Sequence, residues 1–215
     1  MTAELNRRTL EGLPKNGPTD PIDYYKRPLV GWLFRERINM GLRMLDHPRY
    51  ERALEVGYSA GAVLIALAPL VGQLHGLDLD AAPAPVNDVL QKRGFSANLV
   101  QGNVYQLPYD DGQFDLVVCF SVFEHLHEYQ RALGEVSRVL RPGGQFLLGM
   151  PAVNQMMEAA FRIIGFRRIG DHHVTRPRDV SDHFLTAGFE VRDRRTLDVP
   201  LTAIHLYYAW LLQKS

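Results

Sequence analysis

The run Ala53-Leu54-Glu55-Val56-Gly57-Tyr58-Ser59-Ala60-Gly61-Ala62 constrains this chain more than any other stretch. Apolar residues carry one acid, Glu55, into a turn built on Gly57 and Gly61, and Val63-Leu64-Ile65-Ala66-Leu67-Ala68 then reads as a helix. Small residues in such a turn let main chain pass close to a ligand, and the helix N-terminus offers unpaired N–H groups. Strand, tight turn and helix in this order open a nucleotide-binding α/β domain. The segments that follow decide what the turn is for.

Strands and helices alternate beyond it. Arg52–Val56 reads as the first strand, and Leu74-His75-Gly76-Leu77-Asp78 as a second that ends in an acid. Pro83–Arg93 is the next helix, closed by Gly94, and Ala97–Gln101 the third strand. Phe114–Phe120 is almost continuously apolar, as a central parallel strand buried on both faces requires. Tyr129–Leu140 is helical, and Pro142-Gly143-Gly144 turns into a fifth strand, Gln145–Met150. This alternation predicts an α/β fold with a doubly wound parallel sheet. Ligands of such sheets bind beyond the C-terminal strand ends, which brings Ser121 to His127 to the binding edge. Asp78 lies 21 positions after Gly57, where a carboxylate accepts two hydrogen bonds from a ribose diol, with Asp80 as its neighbouring alternative. Asn103, just past the third strand, is placed to meet a purine edge.

Length and charge narrow the classes. The 215 residues make one domain with room for an elaboration. With 24 basic and 24 acidic residues the net charge is zero, which argues against a general nucleic-acid binder. The single cysteine, Cys119, sits in an apolar run and reads as a buried core thiol. No basic-then-apolar leader opens the chain, and Val199–Leu212 is too short to span a bilayer, so a cytoplasmic protein is expected.

Residues 1–50 read as an arm followed by a lid. Pro14, Gly17 and Pro18 make residues 1–20 a loose arm, while Tyr24, Tyr25 and Arg27 form a candidate substrate-contacting patch. Leu29–Leu45 fits a helix with Val30, Phe34, Ile38, Leu42 and Leu45 on one face and Arg35, Glu36, Arg37 and Arg43 mostly on others. Residues 51–215 make the main domain, with 151–187 as a substrate-side elaboration. That stretch holds His172 and His173, for which no accompanying ligand set suggests a metal. Arg178–Ala187 reads as a helix, Phe189 begins a strand, and Thr202–Leu212 is the last one.

An ordered set of motifs resembles the class I S-adenosylmethionine-dependent methyltransferases, in the branch that includes quinone-biosynthesis enzymes. It runs Leu54-Glu55-Val56-Gly57 with Gly61, then Gly76-Leu77-Asp78, Gly102-Asn103 and Leu107-Pro108. Asp111-Gly112-Gln113-Phe114-Asp115-Leu116-Val117-Val118, Glu124-His125-Leu126 and Arg138 to Gly144 complete it. The resemblance implies a Rossmann-like sheet of seven strands, mostly parallel with an antiparallel last strand, and helices on both faces. It implies S-adenosylmethionine as cofactor and methyl transfer to a small molecule by in-line displacement. Gly57 and Gly61 would then shape the loop around the methionine moiety, with Glu55 near its ammonium and Asp78 on the ribose. Asn103 and the Val104 amide would meet the adenine, and Phe120 or Ser121 the sulfonium end. His125, His172 and His173 are the candidate bases for a protic acceptor. Two positions depart from the pattern: Ser59 replaces the middle glycine, and Asn103 replaces the usual acid at the adenine site.

Two other readings stay open. Gly57-Tyr58-Ser59-Ala60-Gly61 is also a literal G-x-S-x-G, the nucleophile elbow of serine hydrolases, with Asp115 or Asp171 and His172 or His205 as triad partners. Only 58 residues precede Ser59, and that reading leaves Gly76-Leu77-Asp78 and Arg138 to Gly144 without a role. The other is a cofactor-binding protein without turnover.

Overall fold

A computed structural model describes residues 3–18, 20–152, 173–198 and 204–215. The strands are β1 (Tyr50–Val56), β2 (Val71–Asp78), β3 (Ala97–Gln101) and β4 (Phe114–Phe120), followed by β5 (Leu140–Pro151), β6 (Phe189–Asp198) and β7 (His205–Lys214). They form one sheet in the order β3-β2-β1-β4-β5-β7-β6. Neighbours from β3 to β5 run parallel, whereas β7 is antiparallel to both β5 and β6. The order reverses between β1 and β4, so the crevice for a ligand opens beyond Val56 and Phe120.

Residue parity assigns the two faces. Ala53, Leu116, Val118 and Leu147 join one core cluster with Ile38, Leu64 and Leu90 from the helices α2 (Pro28–Leu42), α3 (Ala62–Leu67) and α4 (Pro83–Lys92). Leu54, Val117, Cys119 and Leu148 point the other way, to Leu133 and Val136 of α5 (Tyr129–Val139). The period-two alternation of a strand thus supplies both hydrophobic layers from the same residues. Cys119 is fully buried, and burial pushes its thiol up, as expected of a core residue.

Several boundaries differ from the sequence reading. The helix expected over Leu29–Leu45 ends at Leu42, and a separate short helix, α1 (Ile22–Tyr25), precedes it. The helix expected over Arg178–Ala187 is regular only as far as Ser181, in α6 (Pro177–Ser181), and turns carry the chain to Gly188. His172 and Asp171, like the first residues of the predicted last strand, lie outside the described residues.

The largest difference is the N-terminal segment, which is packed rather than loose. Leu5, Leu10 and Leu13 are buried in the core, and Leu5 exchanges two main-chain bonds with the Asn39 amide at 2.7 and 3.0 Å. Arg93 on the far side of α4 donates to the Arg8 and Glu11 carbonyls. Proline and glycine shape this segment's turns without denying it a core, because Leu5, Leu10 and Leu13 supply the apolar anchors.

Candidate functional site

The turn after β1 uses three residues in the left-handed region: Gly57 (φ 83°), Ser59 (φ 50°) and Gly61 (φ 83°). A Cβ on Gly57 would run into the Val122 side chain, and one on Gly61 would lie 2.5 Å from Val86 Cγ1. Both glycines are therefore required by conformation and by close approach. Ser59 accepts the same backbone at a cost of about 1 kcal/mol.

Asp78, at the tip of β2, organises this turn. Its Oδ2 accepts the Ser59 N–H at 2.8 Å, and its Oδ1 accepts those of Asp80 and Ala81 at 2.9 Å each. Three of roughly four acceptor positions on the carboxylate are thus taken by main chain. Glu55 sits below the turn, 4% exposed, with Oε2 unpartnered among the described residues. Burial raises its carboxyl well above the usual range, the nearby Asp78 adds to this, and the Leu64 N–H offsets part of it. At the end of β3 the Asn103 Oδ1 accepts the Tyr105 N–H at 3.0 Å, folding the exposed asparagine into its own turn, with Val104 buried beside it.

A second group gathers beyond β4. Phe120 packs between Gly41 of α2 and Gly149 of β5, where a Cβ at either position would collide with its ring. Ser121 follows with φ 57°, its Oγ 3.0 Å from the Tyr207 hydroxyl of β7. Arg37 of α2 reaches over this point, its guanidinium carbon 4.5 Å from the Phe34 ring centroid, 5.3 Å from Tyr207 and 5.8 Å from Tyr25. Glu124, 2% exposed, lies in the same field, and burial pushes its carboxyl up to about 8 although Arg37 opposes the rise. Sequence reasoning grouped Arg37 with residues mostly off the apolar helix face, quoted Glu124 within a motif but gave it no role, and did not single out Tyr207. Only the β5–β7 pairing brings Tyr207 there.

The three candidate lid residues separate. Tyr25 is buried, with its hydroxyl 3.4 Å from an Arg37 nitrogen and its carbonyl accepting from Arg35 at 2.6 Å. Tyr24 stacks on Phe34, and the exposed Arg27 lies over the Tyr24 ring at 4.6 Å.

His125 and His173 come together with ring centroids 5.1 Å apart, and His125 Nε2 is 3.9 Å from a Glu124 oxygen. Donor atoms of Glu124, His125 and His173 all fall within 4.8 Å of one another, where no metal cluster was expected. A tetrahedral zinc shell spaces its donors about 3.4 Å apart, so this set would need to contract to close on an ion. His173 is brought here because the Glu124 carbonyl accepts the N–H groups of Val174 (2.8 Å) and Thr175 (3.2 Å).

The hydrolase partners fall elsewhere. Asp115 accepts the Glu51 and Arg52 N–H groups at the start of β1, the opposite edge of the sheet from Ser59. His205 pairs with Asp198 at 2.6 Å on the last two strands. Ser59 itself donates its N–H to Asp78 and accepts from the Asn16 amide at its carbonyl.

Comparison with known proteins points to the family that the motifs resemble. Residues 54–148 match the family model described as a methyltransferase domain. These residues are thus similar to a methyltransferase domain. The chain is 31% identical over 140 residues to a probable S-adenosylmethionine-dependent methyltransferase of Mycolicibacterium smegmatis, covering 65% of this chain and 52% of that one. It is 26% identical over 170 residues to the ubiquinone biosynthesis O-methyltransferase of Marinobacter nauticus, covering 72% and 71%. A solved structure of a Pyrococcus horikoshii protein superposes with a TM-score of 0.70 over 92% of this chain and 97% of the other, at 15% identity, which establishes the shared fold. The chain spans about half the length of most curated relatives it matches. A relative named as S-adenosylmethionine-dependent implies that cofactor, and the matched segment holds Glu55, Gly57, Ser59, Gly61, Asp78, Asn103, Val104, Phe120 and Ser121. Among the described residues no helix is long and apolar enough to cross a membrane.

Proposed function

We propose that this chain transfers the methyl group of S-adenosylmethionine to a small molecule held beyond the end of β4. The observation that carries the reading is the turn after β1. Two glycines there cannot take a Cβ, and below them lies a buried carboxylate with an unpartnered oxygen. Such an oxygen suits an ammonium group, and the open turn suits a close main-chain approach. In this reading Gly57, Ser59 and Gly61 cradle the methionine part, with Glu55 beneath it. The remaining acceptor position of Asp78 faces the ribose, and Asn103 with the Val104 amide borders the adenine.

The cofactor supplies a methyl group already activated by the sulfonium charge. The protein's work is then to hold a nucleophile in line and to keep water out. Phe120 and Ser121 border that place, with Tyr25, Arg37 and Tyr207 as its walls and Tyr24 and Arg27 at its outer rim. A proton released by a protic acceptor passes to His125 or His173, whose rings adjoin the Glu124 carboxyl. His172 is the neighbouring candidate. The acceptor is a metabolite and not a nucleic acid, in keeping with the zero net charge, and a cytoplasmic location goes with it.

The test is turnover with methyl-tritiated S-adenosylmethionine and separate cell-extract fractions of small molecules, protein and nucleic acid. Label entering the small-molecule fraction, and lost with Glu55→Ala, supports the reading. Label entering only protein or nucleic acid, or none at all, overturns it.

A further inference from the structure

The packed N-terminal segment touches the cofactor turn itself. Asn16 and Asp20 are each only 7% exposed. The Asn16 amide donates to the Ser59 carbonyl at 3.0 Å and to the Ala82 carbonyl at 2.9 Å, and its oxygen accepts the Ala82 N–H at 3.0 Å. One side chain thus ties the turn after β1 to the loop after β2, across the outside of the crevice that Asp78 spans from within. Asp20 holds the tie in place. Its two oxygens accept the Asn16 N–H at 2.7 Å and the Ile22 N–H at 2.9 Å.

We propose that Asn16 and Asp20 are positioning residues of the cofactor site, which stand in for the missing middle glycine by fixing Ser59 from the N-terminal segment. A glycine adopts the left-handed backbone of this turn without cost, whereas Ser59, at φ 50°, must be held there. Its N–H is held by Asp78 and its carbonyl by Asn16. Docking of the segment and binding of S-adenosylmethionine are therefore linked. Linkage is reciprocal, so whatever factor the docked segment adds to cofactor affinity, the cofactor adds to docking. The inference rests on the cofactor site proposed above.

Two measurements on the full chain test it. Hydrogen exchange of the wild type, with and without S-adenosylmethionine, reads the amides of residues 10–18. Isothermal titration with S-adenosylmethionine compares wild type, Asn16→Ala, Asp20→Ala and Ser59→Gly. We expect added cofactor to slow exchange in the segment, and Asn16→Ala and Asp20→Ala to weaken binding about tenfold. The Asp20→Ala loss shrinks in the Ser59→Gly background, where glycine no longer needs the tie. A purely structural role would lower thermal stability in both backgrounds alike and leave segment exchange indifferent to cofactor. Wild-type exchange unchanged by a cofactor that binds, or equal losses in both backgrounds, overturns the inference. Should a variant fail to fold, the wild-type exchange result decides alone. Wild type that binds no S-adenosylmethionine overturns the cofactor site itself, and this inference with it.

Discussion

The two ends of the crevice are built from different material. The end beyond β1 and β2 is mainly main chain: left-handed turns at Gly57, Ser59 and Gly61, and an aspartate whose carboxylate gathers three N–H groups. The end beyond β4 is mainly side chain, with Tyr25, Arg37, Ser121, Glu124 and Tyr207 arriving from α1, α2, the loop after β4 and β7. A site made of backbone tolerates few changes of geometry and keeps one ligand. A site made of side chains can be re-lined residue by residue, which suits the end proposed to hold the acceptor.

Predictions that break or sharpen this contrast run from the backbone outward. Gly61→Ala places a Cβ against Val86 at a positive φ, so urea unfolding should show a loss of about 2–4 kcal/mol. A loss under about 0.5 kcal/mol would mean that the turn is softer than its geometry implies. Asp78→Ala releases three N–H groups at once, and a destabilisation of about 1–3 kcal/mol in the same assay is expected.

Glu124 gives a pH signature. Its carboxyl is raised to about 8 in the folded chain, mainly by burial, with Arg37, Tyr207, Cys119 and His125 as its charged or titratable neighbours. A raised folded value means that the native state holds the proton more tightly. The associated stability is complete below the unfolded value near 4.5 and is lost as pH rises through about 8. Between these limits the decline is at most about 1.4 kcal/mol per pH unit. Denaturation midpoints of Glu124→Gln should fall less steeply over that window than those of the wild type; parallel curves would refute the assignment. The smallest effect is expected from Tyr207→Phe, which removes the hydroxyl bonded to Ser121 and costs about 1 kcal/mol. Its affinity for S-adenosylmethionine should stay within about twofold, and a larger change would erase the distinction between the two ends.

The same contrast explains what the sequence disclosed. Glu55, Gly57, Gly61 and Asp78 act through local backbone and one strand-to-strand step, so spacing along the chain encodes them. The nearly unbroken apolar run of β4 likewise announces a strand buried on both faces. Arg37 follows the helical pattern of an outward residue, and beyond the nearby Phe34 and Tyr25 its aromatic cover is completed by Tyr207, 170 positions later. No local rule carries such a meeting. Asn16 and Asp20 were hidden for a related reason: Pro14, Gly17 and Pro18 resemble a loose segment, while the partners that fix it, Ser59 and Ala82, lie far along the chain.

The central claim is that the turn after β1 binds S-adenosylmethionine with Asp78 as its organiser. Isothermal titration of the wild type and of Asp78→Ala tests it most directly. The account predicts saturable one-to-one binding by the wild type that is lost in the variant while the variant remains folded. No heat of binding in the wild type, or equal affinity in both, would contradict it.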